Sequence, residues 1–245
     1  MPERGRARGR FLLLCIITAV FLGSGAALLG VYEPDTPLSL TPTDSDNPQF
    51  SPAANSDVGP APIASLSAAL ARRRSDLERD PNAPVLGNPD GDVTVVEFFD
   101  YNCPFCKKVA ADMKRLIAED PGVRLVYREW PIINRGSRFA ARAALAARRQ
   151  GKYEELHWAL MAQPRVTETS TLQAARAVGL DMARLQRDMN HRSVGRHISL
   201  SMDLARTLAV NGTPAFVIGD VIKRGVMPFD ELRQYVRDAR AATAG

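Results

Sequence analysis

The sequence predicts an α/β sandwich around a central mixed sheet, and three observations predict it. Val93 to Phe99 is a β-branched and aromatic run, followed by a helix-periodic stretch and a second apolar run from Val123 to Trp130, which reads as strand, helix, strand. Two short runs, Ala215 to Ile218 and Val221 to Arg224, face each other across the hairpin dipeptide Gly219-Asp220. A last amphipathic stretch turns Phe229, Leu232, Tyr235 and Val236 to one side. A βαβ unit with a hairpin and a closing helix packs as layers around one sheet. The composition agrees: 245 residues, 45% hydrophobic and 24% charged, suit one folded domain with tails and exclude wholesale disorder, collagen or a multi-span membrane protein.

Taken from the N-terminus, Arg4, Arg6, Arg8 and Arg10 precede an almost unbroken apolar run from Phe11 to Tyr32, long enough to cross a bilayer as a helix. The arginines stay in the cytoplasm, so residues 1–32 are predicted to be a basic tail and a transmembrane signal-anchor. Everything after Tyr32 is then exported to the periplasmic face of the inner membrane, where disulfides persist. Ser24-Gly25-Ala26 supports a second reading, cleavage and release into the periplasm. Residues 33–62 hold seven prolines, five acids and no Lys or Arg, a composition that cannot offset its ordering entropy and reads as a disordered tether.

Within 63–83, Ile63, Leu66, Leu70 and Leu77 fall at helix spacing, with Ser65 or Ser67 as the start and Pro81 as the stop. This helix docks on its own domain or, because the same residues fit a short a/d seam, makes a homo-oligomer through residues 63–79. The main domain spans 84–245. Pro84, Gly87-Asn88 and Pro89-Asp90-Gly91 mark turns before the first strand, in which Glu97 is the one acid. The helix from Lys107 to Glu119 places Val109, Met113, Leu116 and Ile117 together and ends at Pro121-Gly122. From about 137 to 208 the chain is helical and alanine-rich, with breaks at Gly151, Pro164, Gly179 and Gly195 that predict four or five short helices.

The net charge of +5 does not indicate nucleic acid, since the arginines are scattered along helical stretches. Three cysteines are too few for a disulfide-stapled scaffold, and Cys15 is one more apolar residue of the N-terminal run. Cys103-Pro104-Phe105-Cys106 sits between a buried strand and a helix, the setting in which C-x-x-C reads as a redox pair. Two intervening residues in a first helical turn bring both sulfurs within bonding reach. Cys103 there meets unpaired N–H groups and the positive end of the helix dipole, which lowers its pKa. Cys103, nearer the surface, forms the mixed disulfide with a client, and Cys106, one turn inward, resolves it. Pro104 costs no helix hydrogen bond at that position. An inert disulfide would close too small a loop to gain much entropy. The two thiolates could instead hold Cu(I), but no second C-x-x-C completes a zinc site. His157, His191 and His197 lack ligand spacing and read as surface or packing residues, so no resident metal is assigned.

Val95 to Lys108, running through Glu97 and the cysteine pair, together with Asn211-Gly212-Thr213-Pro214-Ala215-Phe216, resembles the DsbA family of thiol-disulfide oxidoreductases over roughly Pro84 to Ala241. The lead-in from Asn82 to Pro89 looks most like the periplasmic suppressor-of-copper-sensitivity branch. The resemblance implies a thioredoxin fold, βαβ then ββα, with an inserted helical subdomain and no dissociable cofactor. It makes Pro214 a cis-proline beside the cysteines and Thr213 a backbone partner for an extended client, with Pro104 and Phe105 completing the client-binding positions. It makes Glu97 a buried acid beneath Cys106, with a raised pKa, able to exchange a proton with that thiol. Phe105 stands where the type enzyme has a histidine, which implies a Cys103 less acidic and a disulfide less oxidising than in that enzyme.

The expected function is therefore periplasmic disulfide exchange, as oxidase, isomerase or reductase. The partners are unfolded or misfolded exported proteins and a membrane redox partner that resets the cysteines. The alternative is a copper-binding protein that uses the same two thiolates for Cu(I) sequestration or delivery.

Overall fold

The computed structural model describes residues 63–244; the predicted anchor and tether lie outside the described residues. A first helix, α1 (Ile63–Glu78), leads into a short strand β1 (Val85–Gly87), then β2 (Val93–Phe99), α2 (Pro104–Glu119) and β3 (Val123–Glu129). Five helices follow: α3 (Arg135–Ala147), α4 (Tyr153–Met161), α5 (Glu168–Ala177), α6 (Met182–Asp188) and α7 (Arg192–Thr207). The hairpin β4 (Ala215–Ile218) and β5 (Val221–Arg224) and the closing helix α8 (Phe229–Ala244) complete the domain.

The sheet runs β1-β3-β2-β4-β5, with β2 and β3 parallel and the other pairs antiparallel, so it is mixed as expected. Its central strands read as continuous apolar runs because both faces are covered. Val95, Phe99, Leu125, Tyr127 and Phe216 share one core with Met113 and Leu116 of α2, with Leu232 and Val236 of α8, and with the inserted helices. Val96, Phe98, Val126 and Val217 face the other way, onto Leu70 and Leu77 of α1, Leu204 of α7 and Leu208 just after it. Alternation along β2 thus places Glu97 on the α2 side, in register with Tyr127 of β3 and Phe216 of β4.

Three local readings need correction. β1 occupies residues read as a turn: Val85, Leu86 and Gly87 pair with Val126, Leu125 and Arg124. Gly87 ends that strand at φ +71°, where an added Cβ would lie 2.7 Å from the Val123 carbonyl oxygen. Helix α1 already includes Ser65 and Ser67, so neither starts it. Gly195 lies inside α7, and the break falls just before it, where the His191 side chain accepts from the Ser193 N–H to cap the helix. A single glycine costs a helix only about 1 kcal/mol, which the packing of Val194, Leu204 and Ala205 outweighs.

Helix α1 is built into the domain, with Leu70 and Leu77 buried at 1% and 0% exposure. Leu77→Ala is expected to cost about 2–5 kcal/mol, read as a lower urea midpoint. An unchanged midpoint would show that α1 contributes nothing to folding.

At the C-terminal end of α1 the sheet buries a charged cluster. The guanidinium of Arg128, fully buried on β3, donates to Asp80 Oδ2 at 2.7 Å and to the Asp76 carbonyl. His197 of α7 bridges Asp80 Oδ2 at 3.1 Å and Glu129 Oε2 at 2.6 Å, and Glu129 also accepts from the Tyr153 hydroxyl at 2.7 Å. His197 is thus a member of an ionic network rather than a surface or packing histidine. His157 is buried by packing among Phe99, Tyr101, Tyr127, Tyr153 and Trp158, and burial lowers its pKa to about 3.

Candidate active site

Between β2 and α2 the chain makes a turn, Asp100-Tyr101-Asn102, that aims the cysteine pair. The Asp100 carboxylate accepts from the N–H of Asn102 at 2.7 Å and of Ile133 at 3.0 Å, while its carbonyl accepts from the Cys103 N–H at 3.0 Å. The Asn102 amide donates to the Val166 carbonyl at 2.9 Å and accepts from the Val166 N–H at 2.7 Å, pinning the turn to the helical insertion. Asp100 and Asn102 lie within the Val95 to Lys108 stretch that carries the family resemblance, which assigns them no role. Their signal was present: short polar side chains in a strand-to-helix turn bond nearby backbone groups.

Cys103 is the N-cap of α2, with Pro104 as its first residue. Both sulfurs are free thiols, and Cys103 is 4% exposed against 0% for Cys106, so the outer and inner order predicted from spacing holds within a narrow margin. The Cys103 thiol donates to the Thr213 carbonyl at 3.2 Å across a cis Thr213-Pro214 bond. Its pKa falls to about 5: the Cys106 thiol, hydrogen-bonded to it, is the largest cause, and the Thr213 side chain and the N–H groups of Cys106 and Phe105 add to it against the cost of burial. Cys106 moves the opposite way, pushed well up by burial, by its bond to Cys103 and by Glu97.

Glu97 lies on β2 beneath this pair, 1% exposed, and its Oε1 has no hydrogen-bond partner among the described residues. Burial first, and the nearby Cys103 charge second, raise its pKa well above the usual carboxylate range. Lys107, half-buried one residue after Cys106, donates to the Leu160 carbonyl at 3.3 Å and has its pKa lowered by burial; the sequence reading gave it no role. The structure therefore brings Cys103, Cys106, Glu97, Thr213 and Pro214 together. Pro104 and Phe105 cap the same helix end on the outside, Phe105 being 59% exposed.

One nucleophilic sulfur and one proton-holding sulfur, next to a buried carboxyl whose pKa is raised, are the parts needed for thiol-disulfide exchange. Residues 94–237 match the model for the DSBA-like thioredoxin domain. The chain belongs to that family. It has the thioredoxin fold of that domain, with a helical subdomain inserted between β3 and β4. Among solved structures it is similar to a thioredoxin-like oxidoreductase from Silicibacter pomeroyi, 57% identical with a TM-score of 0.67 over 69% of this chain and 98% of the other. It is also similar to a linker-deleted variant of ScsC from Proteus mirabilis, 27% identical with a TM-score of 0.68 over 74% and 84%. A curated relative, Na(+)/H(+) antiporter NhaA 3 of Salinispora tropica, is 31% identical over 170 residues, which are 68% of this chain and 26% of the antiporter. The chain thus spans about a quarter of the length of that relative.

The split between the two thiols makes a direct prediction. Iodoacetamide should alkylate Cys103 at a rate that rises through about pH 5 and then levels, with Cys106 untouched at neutrality. A midpoint near about 8.5, the ordinary thiol value, would contradict the site as described.

Proposed function

We propose that this protein exchanges disulfides with unfolded or misfolded exported proteins at the periplasmic face of the inner membrane. The observation that supports it best is the opposed acidity of Cys103 and Cys106 beside the Thr213 carbonyl. In the oxidising direction, a client thiolate attacks Cys103 Sγ of the Cys103–Cys106 disulfide. That bond breaks as a client–Cys103 disulfide forms, and Cys106 leaves as a thiolate that takes a proton from Glu97. A second client thiolate then attacks the client sulfur of the mixed disulfide. Cys103 departs with its electron pair as the stabilised thiolate, leaving the client oxidised by two electrons and the enzyme a dithiol. In the reducing direction, the Cys103 thiolate attacks one sulfur of a client disulfide and expels the other as a thiolate; Cys106, having given its proton to Glu97, then attacks Cys103 Sγ, which re-forms the Cys103–Cys106 disulfide and releases the second client thiolate. A membrane redox partner completes the cycle by restoring the starting state of the pair.

Thr213 and Pro214, with Pro104 and Phe105 on the other side of the sulfur, form the client-binding rim, where an extended client segment pairs with the backbone at Thr213. The copper reading asks the same pair for something different. A Cu(I) site would take both sulfurs as thiolates at once and would have to displace the proton that burial favours on Cys106.

The test is trapping. Cys106→Ala should accumulate mixed disulfides between Cys103 and exported proteins, and Cys103→Ser should abolish them. If Cys106→Ala yields no adducts, while the wild-type chain co-purifies reduced with copper, delivery replaces exchange.

A further inference from the structure

Away from the cysteines, a groove between α3 and α7 is strongly one-sided in charge. It encloses about 820 Å³ and is lined by Arg135, Arg138 and Arg142 of α3 and by Arg192 at the start of α7. A second depression of about 410 Å³ shares His191 and Arg192 with it and continues past Arg148, Arg149 and Arg196. Among the described residues lining the two, seven arginines stand against one carboxylate, Glu168.

Folding accounts for three of these arginines. Arg142 donates to the Met189 carbonyl and Asn190, Arg148 to the Pro81 carbonyl, and Arg149 pairs with Asp188 at 3.2 Å. Only the last meets a negative charge. Arg135, Arg138, Arg192 and Arg196 are exposed and have no side-chain hydrogen bond or ion pair among the described residues. Their spacing, three apart on α3 and four apart on α7, sets like charges on neighbouring turns, which weakens a helix unless something anionic covers them. Phe139, Leu172 and Ile198 supply an apolar floor between the two rows.

The groove also opens beside the active site. Its first arginine follows Asn134, whose Oδ1 accepts from the Asn102 amide at 3.1 Å, next to Cys103. An extended polypeptide held at Cys103 would reach the α3 row within roughly four to eight residues. Guanidinium forks bind carboxylates in pairs of hydrogen bonds, and a concave cleft with an apolar floor suits an extended chain better than a flat lipid surface.

The geometry points to this groove as the docking site for an acidic segment of the polypeptide that exchanges disulfides at Cys103, with Arg138 and Arg192 gripping it from opposite sides. This rests on the exchange reading above and names a substrate class for it: clients with glutamates or aspartates a few residues from the reacting cysteine.

The test uses two fluorescent peptides that differ only in carrying a glutamate run or a serine run beside one cysteine, and cysteine-free versions of both. The wild-type protein should exchange with the acidic peptide about tenfold faster at low salt, an advantage that fades as salt is added. The cysteine-free acidic peptide should bind by anisotropy and the serine peptide should not. Arg138→Glu with Arg192→Glu should erase both preferences while leaving the rate with glutathione disulfide unchanged, and the remote charge reversal Arg237→Glu should erase neither. Equal rates and equal binding for the two peptides overturn the proposal, as does an equal loss in Arg237→Glu. Binding to phosphatidylglycerol vesicles that the double variant abolishes, without any peptide preference, would assign the groove to lipid instead. Binding of the cysteine-free acidic peptide with no exchange on any peptide would sink the exchange reading and leave the groove as an acidic-peptide site.

Discussion

Asp80→Ala is expected to destabilise the domain by about 3–5 kcal/mol, because it strands a buried guanidinium without its counter-charge. Arg128 is fully buried, and Asp80 is the carboxylate bonded directly to it. A domain of this size has a total stability of about 5–15 kcal/mol, so the variant should show a large drop in melting temperature. Asp80→Ala combined with Arg128→Met should recover much of the loss, since an apolar replacement removes the orphaned charge too. A double variant no better than the single one would show that the charge pair is not the cause.

The same cluster sets a pH window. Asp80 is held below its usual range: burial opposes this, but bonds from His197, the Asn82 N–H and Arg128 outweigh it. Its contribution is present above the unfolded value of about 3.9 and is lost as pH falls toward the lower folded value. His197 is shifted up, burial again opposing and Glu129 and Asp80 prevailing. Its contribution is complete below about 6.5 and is lost as pH rises through the higher folded value. The cluster is therefore most stabilising between about pH 4 and 6.5. His197→Gln should flatten the alkaline limb of the stability profile and leave the acid limb in place.

Glu97→Gln is the second large effect, and it falls on rate. The amide keeps the shape and burial of the carboxyl but cannot pass a proton, so the steps in which Cys106 leaves or attacks should slow by about 10²-fold. Rapid-quench measurement would show the mixed disulfide persisting, while alkylation of Cys103 stays near the wild-type rate. Exchange at the wild-type rate across the pH range would remove Glu97 from the mechanism. Stability should move the other way. A carboxyl whose folded pKa is raised contributes fully below its unfolded value of about 4.3 and loses that contribution as pH rises toward the folded value. Glu97→Leu is thus expected to melt higher than wild type at neutrality and to lose that advantage in acid. A site kept less stable than its surroundings need be is common where a buried acid has chemistry to do.

The legible parts of this protein were those whose physics is local. The strand at 93–99, the turn at Gly219-Asp220 and the C-x-x-C opening a helix each follow from a handful of adjacent residues. The cis bond at Thr213-Pro214 and the burial of Glu97 were implied by the resemblance and are present in the structure. Strand β1 was not legible, because three residues ending in glycine carry too little pattern and are held by pairing with β3. The interior breaks of the insertion were read nearly right, yet Gly195 joined a helix because tertiary packing outweighs a small propensity cost.

Chain order by itself determined the layered α/β fold class, the placing of the cysteine pair at a helix start and which sulfur lies outward, since all three depend on periodicity and on two residues of spacing. Tertiary structure alone decided what surrounds them. Asp80, Arg128 and His197 meet from separate elements, with 117 positions between Asp80 and His197. Asn102 finds Val166 across 64, and the arginines of α3 come to face those of α7. Electrostatic partnership acts through space with no period along the backbone, so it becomes visible once folding has brought the charges side by side.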